Sequence, residues 1–371
     1  MKKFISITVA LLLFTSGFAF SFATDTTTSQ KITFDQIEAT MLLSSSDMTL
    51  AKNTLDKADY DYRQVLKNIK DLEAQYNAID LSQPGSWSTS SSLSSQLTTL
   101  RSTRDTLKSS LDTAKIKYDK QVQTNVSISQ QQYIACLSAN NNLIIAKNNL
   151  DSSEKSLLTL TNRLKMGFVS QNQYKIFYYQ VVDARSSYIQ QVTQSQILIE
   201  KLRNLLGISP LVNLEISEIP SFDFDVIDKL VYTDDLAKVM ENSVSIRSAA
   251  INLDSIKKTS SSSYDPSKYK YSVIDAEILL SQTKTSVQEG FKDQYTALIN
   301  SYSALKIQLR SLGDKRVGLT NAEARYKFGL VSKKVVSDLQ TEIANLELTL
   351  INNQDSLYLS YQQYEASKLG Y

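Results

Sequence analysis

Residues 163–170 read Arg-Leu-Lys-Met-Gly-Phe-Val-Ser, and residues 325–332 read Arg-Tyr-Lys-Phe-Gly-Leu-Val-Ser. The chain contains only 9 glycines and 4 prolines, so each of them indicates where the backbone turns. A glycine followed three residues later by a serine is typical of a helix that ends in a left-handed residue, with a new helix beginning at the serine. Each octet therefore predicts the tip of a helical hairpin, and its recurrence predicts an internal repeat.

The segments that flank the octets carry apolar residues at helical spacing. One such seam continues through residues 97–164, and a second one has a gap at Asn353. Apolar residues at helical spacing over so long a segment predict coiled-coil packing, with a first helix of roughly 105 Å over residues 94–165. The second seam consists of Leu339, Ile343, Leu346, Leu350, Leu357 and Tyr364.

The remaining glycines and prolines divide the chain into two repeats. Gly207 and Gly370 follow the second helix of each hairpin, and Pro210 and Pro220 fall between the repeats. We therefore expect a first repeat over residues 24–207, an extended crossover over 208–232 and a second repeat over 233–371. The expected fold class is all-α, with two tandem long helical hairpins and little or no β-barrel.

The first 23 residues have the pattern of a secretory signal peptide. Lys2 and Lys3 precede an apolar run over residues 4–20, and small residues follow it up to Ala23. The run approaches the roughly 20 residues that a membrane-spanning helix needs, so an uncleaved anchor is the alternative. Either interpretation predicts an exported protein.

The composition excludes several classes of function. Without Lys2 and Lys3 the chain has as many basic as acidic residues, 38 of each, which argues against a nucleic-acid partner. It has no histidine and a single cysteine, Cys136, on an apolar seam. These absences argue against histidine-based catalysis and most zinc sites, so we expect neither an enzyme nor a metal or other cofactor. Cys136 is expected to be a buried, unreactive thiol.

Together these features resemble the TolC family of outer-membrane efflux proteins. The resemblance rests on the twice-repeated tip, on the Leu-Leu-Gly end of the first repeat at Gly207, and on entry helices that begin near Thr33 and Thr233. It implies a homotrimer whose hairpins close a long helical barrel around a duct. It also implies a periplasmic-type adaptor and an inner-membrane transporter as partners, with the adaptor docked at the tips.

The sequence departs from that family where membrane strands are expected. Residues 80–95 and 259–272 occupy those places, and neither is long enough for two spanning strands. The interval from Pro84 to Gly167 exceeds that from Pro266 to Gly329 by about 20 residues, which predicts a paired helical extension of the first hairpin, roughly 30 Å long.

The resemblance also assigns candidate site residues. Family members carry carboxylates beyond the second tip that narrow the duct. Asp338 matches one of these positions and Val335 the other, so Lys333, Lys334 and Asp338 form a candidate gate. The two lysines are interpreted either as solvated charge at a helix start or as determinants of anion selectivity. The candidate adaptor-docking residues are Arg163, Lys165, Gly167, Val169, Ser170, Arg325, Lys327, Gly329, Val331 and Ser332.

Four aromatic residues lie in or near the two loops opposite the tips, namely Trp87, Tyr264, Tyr269 and Tyr271. They are candidates for peripheral contact with a membrane or cell wall, and the alternative is that they cap the ends of the barrel. The predicted function is a passive efflux or export duct of the cell envelope. It would lie in the outer membrane by resemblance, or at the cell surface in a host without one. The alternative is a coiled-coil envelope protein without a pore.

Overall fold

The computed structural model describes residues 29–262 and 266–370, with the side chains of residues 259–266 left undescribed. The predicted signal peptide and Tyr264 lie outside this part of the chain. Long helices dominate the described residues, which confirms the all-α prediction with two tandem hairpins. The first repeat contains strand β1 (Ser29–Ile32) and helices α1 (Ile37–Ser44), α2 (Ser46–Asn77), α3 (Ser86–Lys165) and α4 (Gln171–Leu205).

The second repeat follows the same plan. A crossover leads through strand β2 (Asn213–Ile216) and a 3₁₀ turn (Phe224–Lys229) into the second set of helices. Strand β1 pairs in parallel with β2, with Ser29 opposite Asn213 and Ile32 opposite Ile216. The helices of this repeat are α5 (Tyr232–Asn242), α6 (Val244–Ser262), α7 (Lys270–Lys327) and α8 (Lys333–Lys368).

The four longest helices lie side by side. Helix α3 packs against α4 and α8, and α8 packs against α3 and α7, so the order across the layer is α4, α3, α8, α7. Each hairpin has an apolar seam of its own. Tyr133 and Leu202 are fully buried in the first repeat, as Leu298 and Leu357 are in the second. Helices α4 and α7 form the two edges of the layer.

Part of the first hairpin is longer than its counterpart, as predicted. Helix α3 has 80 residues and α7 has 58, while α2 has 32 residues and α6 has 19. Val65 and Ile69 of α2 pack against Leu97 of α3 in the added part. Helix α3 is about 120 Å long, and it begins at Ser86 rather than near Ser94.

Two local features depart from a simple hairpin plan. Residues 88–92 are rich in serine but are helical, and the left-handed Gly85 at the start of α3 accepts a hydrogen bond from Ser88 Oγ (2.8 Å). Each entry helix is broken at a serine with non-helical backbone, Ser45 between α1 and α2 and Ser243 between α5 and α6.

Those breaks allow close backbone contacts at the level of the strands. Gly207, in left-handed conformation, lies so close to the backbone of Ser44 that a Cβ atom would clash with its carbonyl group. Gly370 has the same relation to Asn242, whose side chain donates to Lys368 O (2.8 Å). We call this level the junction, defined by β1, β2, α1, α5 and the ends of α4 and α8.

Candidate docking surface at the hairpin tips

Both octets form the predicted reversals. At the first tip Gly167 has φ of +77°, Phe168 N donates to Arg163 O (2.8 Å) and Gly167 N donates to Leu164 O (2.9 Å). This pair of hydrogen bonds is the Schellman arrangement that ends a helix with a left-handed residue. The first tip therefore places the glycine at the apex of a hairpin between α3 and α4.

The second tip repeats this geometry. Gly329 has φ of +71°, Leu330 N donates to Arg325 O (2.9 Å) and Gly329 N donates to Tyr326 O (2.9 Å). The identical bonding explains why the two octets share residues at the same positions.

A serine begins the outgoing helix at each tip. Ser170 Oγ accepts from Gln173 N (3.2 Å), and Ser170 N donates back to Gln173 Oε1 (3.0 Å), which completes a capping box. Ser332 Oγ accepts from Val335 N (3.4 Å) without a reciprocal bond. The structure thus confirms the local role that the sequence predicted for both serines.

Large apolar side chains point into solvent at both apices. Met166, Phe168, Phe328 and Leu330 are between 60% and 80% exposed, whereas Val169 and Val331 are half-buried. Single exposed apolar residues need no explanation, but four at one end of the molecule make this end a candidate interaction surface.

A cleft of about 1060 Å³ opens between the two hairpins beside the tips. The ends of α3 and the start of α4 form one wall, and the start of α8 forms the other. Its lining includes Arg163, Val169, Lys333, Lys334 and Asp338, so the structure brings candidate docking and gate residues together. We call this space the tip cleft.

The candidate gate residues do not form three independent charges. Lys334 Nζ lies 2.7 Å from an Asp338 carboxylate oxygen, one helical turn away, and both side chains are at least half exposed. Lys333 has no ion pair within the described part of the chain. Among the described residues, the three candidate gate residues therefore present one positive charge without an ion pair.

The candidate membrane-end aromatics lie at different heights. Trp87 is in the first turn of α3, Tyr269 ends a 3₁₀ turn, and Tyr271 is in the first turn of α7. Counted along the helices, Trp87 is roughly 30 Å farther from the tips than Tyr271. Trp87 and Tyr271 thus lie in the helix turns next to the two loops rather than within the loops.

A row of amide pairs between the hairpins was not predicted from the sequence. Asn352 of α8 accepts from Asn141 Nδ2 (2.7 Å), and Asn345, one heptad away, accepts from Asn148 Nδ2 (3.1 Å). Asn353, the gap in the second seam, donates to Gln308 of α7 (2.7 Å). Clusters of asparagine at heptad spacing in both α3 and α8 were the available signal.

Cys136 and Asp355 are among the buried titratable groups near the junction. Burial raises the pKa of the Cys136 thiol to about 11, which keeps it protonated and fits the expected inert thiol. Burial, and then the charge of Glu218, raise the pKa of Asp355 to about 6. Neither group lies at the tips.

The described residues contain no cluster of three or more side chains suited to hold a metal ion. Among the helices described, none combines the length and apolarity needed to cross a membrane.

No protein-family model matches the sequence, and no curated protein sequence matches it. Solved structures do match. The Campylobacter jejuni CmeC outer membrane channel has a TM-score of 0.62 at 12% identity, covering 91% of this chain and 85% of CmeC. The outer membrane protein VceC from Vibrio cholerae has a TM-score of 0.61 at 11% identity, covering 91% of this chain and 96% of VceC.

A third match is CusC, from a study of folding and transmembrane channel formation, with a TM-score of 0.58 at 14% identity over 95% of this chain and 96% of CusC. The structure therefore confirms, at the level of fold, the resemblance to TolC-family outer-membrane efflux channels. CmeC and CusC are described as channels, and VceC is described as an outer membrane protein.

Proposed function

We propose that this chain is the subunit of a passive export duct of the cell envelope, in which three copies close a ring. Its two repeats would be residues 24–207 and 233–371, joined by the crossover 208–232. The observation that carries the proposal is the state of the two edge helices. Edge helix α4 (35 residues) exposes seven large apolar side chains, whereas the inner helix α8 (36 residues) exposes two.

The exposed residues of α4 form a face without a partner in the subunit. Ile176, Tyr179, Val182, Ile189 and Ile197 fall within about 140° around the helix axis. A face of this size is typical of a surface that another chain covers.

Helix α7 offers the complementary edge. Val317 and Ile307 are exposed on it, and Val317 lies about 17 Å from its tip, level with Val182 at about 18 Å from the other tip. Contact between α4 of one copy and α7 of the next is head-to-tail, and contacts of this kind close into rings.

The duct would carry no chemistry of its own, and its adaptor and inner-membrane transporter would supply energy and specificity. Docking at the Gly167 and Gly329 tips fits the exposed apices and the tip cleft. Outer-membrane location is part of the proposal because CmeC is described as an outer membrane channel. In a host without an outer membrane the same ring would lie at the cell surface.

The mass of the purified protein in solution tests the ring directly. We expect three times the subunit mass, and a monomer at micromolar concentration would refute the ring. Ile189→Glu should convert the trimer to monomers, because it buries a charge in the α4 edge. Leu50→Glu is the matched control, because Leu50 is an apolar residue of α2 that is likewise exposed but lies outside the α4 edge. This variant should leave the trimer intact.

Single-channel recording tests conduction. We expect long-lived openings in a lipid bilayer, either from the protein alone or after its adaptor is added. A trimer that never conducts under either condition would instead support the non-pore envelope protein. The helices of the first-hairpin extension, at the place where family members have membrane strands, are the observation that favours this second candidate.

A further inference from the structure

The tip end of the molecule carries a strong positive charge. Within ten residues of Gly167 and Gly329, about 15 Å along each helix, there are seven basic residues and two acidic ones, Glu323 and Asp338. The chain beyond residue 23 has equal numbers of both signs, so this excess is local. The basic residues are Arg163, Lys165, Lys175, Arg325, Lys327, Lys333 and Lys334.

Six of these seven residues form no ion pair within the described part of the chain, since only Lys334 is bound, to Asp338. Slightly farther from the tips the pattern changes. Arg185 pairs with Glu154 (2.7 Å) and Lys315 pairs with Glu342 (2.6 Å). These two pairs are satisfied within the chain, whereas six of the seven basic residues at the tips are available to another molecule.

The tip cleft combines these charges with apolar surface. Leu160 and Phe177 line it together with Lys155, Arg163 and Lys333. Two carboxylates line it as well, Asp338, which is bound to Lys334, and Asp151, which has no ion pair among the described residues. Lys155 also has no ion pair within the described residues. The cleft follows α3 from residue 148 to 163, about 22 Å, which is the length of a helix of roughly 15 residues.

Three unpaired cations against one unpaired carboxylate leave the cleft with a net positive charge. A cleft with this charge and an apolar lining fits an amphipathic helix that carries carboxylates beside its apolar stripe. An anionic membrane surface fits less well. Lys155 lies about 15 Å back from the end of α3, where lipid headgroups pressed against the apices do not reach.

We propose that the tip cleft binds an acidic amphipathic helix of the partner protein. Carboxylates of that helix pair with Lys155, Arg163 and Lys333, and its apolar stripe covers Leu160 and Phe177. The proposal rests on the proposed function, because it specifies the chemistry of the adaptor segment that docks at the tips.

Site-specific photocrosslinking in the producing cell tests the proposal. A photoreactive phenylalanine analogue replaces Thr159, which lines the cleft, or Thr103, the matched control on the extension. Both threonines are exposed, and each donates its hydroxyl to the carbonyl four residues earlier. We expect position 159, and not position 103, to crosslink to a helical protein segment with an excess of Asp and Glu.

A neutral or basic crosslinked segment, a phospholipid adduct alone, or no adduct above the control would overturn the proposal. The crosslinked segment is then synthesised as a peptide and titrated against the purified full chain. Lys155→Glu combined with Arg163→Glu and Lys333→Glu should weaken its affinity at least about tenfold. Unchanged affinity would contradict the assignment of these three cations.

A matched triple variant controls for net charge. Lys67→Glu, Lys70→Glu and Lys115→Glu alter exposed lysines of the extension and should change the affinity less than about twofold. Trimer mass and conductance are measured on both triple variants. A trimer that conducts but does not bind the acidic peptide refutes this inference alone, whereas a monomer refutes the proposed function.

Discussion

The junction and the tips use the same backbone device in opposite surroundings. Gly207 and Gly370 at the junction, like Gly167 and Gly329 at the tips, follow long helices with φ between +67° and +99°. A Cβ atom would clash with neighbouring backbone at the junction, but it would meet nothing within 4 Å at the tips. The junction glycines therefore hold the last helix of each repeat against the entry helix of the same repeat, whereas the tip glycines have no neighbouring backbone to hold.

The largest expected effect is that of Gly207→Ala. The substitution adds both left-handed strain and a clash with the Ser44 carbonyl, so we expect the free energy of unfolding to fall by about 3–5 kcal/mol. Urea denaturation followed by circular dichroism measures it. A loss below about 1 kcal/mol would show that the junction is as open as the tips.

Asp355→Asn should stabilise the protein in a pH-dependent way. The pKa of Asp355 is raised from its ordinary value of 3.8 to about 6, so its contribution to stability is full below pH 3.8 and is lost as the pH rises through 6. At pH 7.5 the neutral amide should therefore add about 1–3 kcal/mol, and near pH 4 it should add little. An equal effect at both pH values in urea denaturation would contradict the raised pKa.

Tyr364→Phe tests the polar contacts of the junction. The Tyr364 hydroxyl donates to buried Asp235 (2.8 Å), which also faces Lys238 (3.2 Å). Loss of this hydrogen bond should cost about 1–2 kcal/mol in the same denaturation measurement. Tyr326→Phe, at the exposed second tip, is the control and should change stability by less than about 0.5 kcal/mol.

The smallest expected effect is that of Gly167→Ala. Only left-handed strain opposes it, because nothing lies near the added methyl group, so the cost should be about 1 kcal/mol. Thermal unfolding measured beside Gly207→Ala gives the ratio of the two effects. Equal losses for both variants would remove the distinction between junction and tip.

The tips were predictable from sequence because all of their determinants lie within eight residues. The junction was not, because its contacts join distant parts of the chain. Strand β1 has four residues and pairs with β2, which lies beyond α4 in the chain. A strand this short has no local sequence pattern that predicts it. The closeness of Gly207 to Ser44 was hidden for the same reason, although its position at a helix end was predicted.

The docking and gate residues were chosen by resemblance, and the structure gives their geometry but not their role. The excess of basic residues at the tip end could be read from the sequence. Which of these residues lack an ion pair within the chain could not. Only the structure shows that Lys315 and Arg316 are matched with Glu342 and Glu347 while Lys333 is not. An ion pair between two helices depends on how the helices are aligned along their axes. The apolar seam of each helix, taken alone, does not give this alignment.

The amide pairs between the two hairpins have a consequence for the environment in which the molecule works. Asn141, Asn148, Asn345 and Asn352 carry no net charge and do not titrate. Low pH or high ionic strength outside a cell would weaken surface ion pairs but would leave these hydrogen bonds unchanged. The contacts that these pairs make between the two hairpins therefore do not depend on pH or on ionic strength.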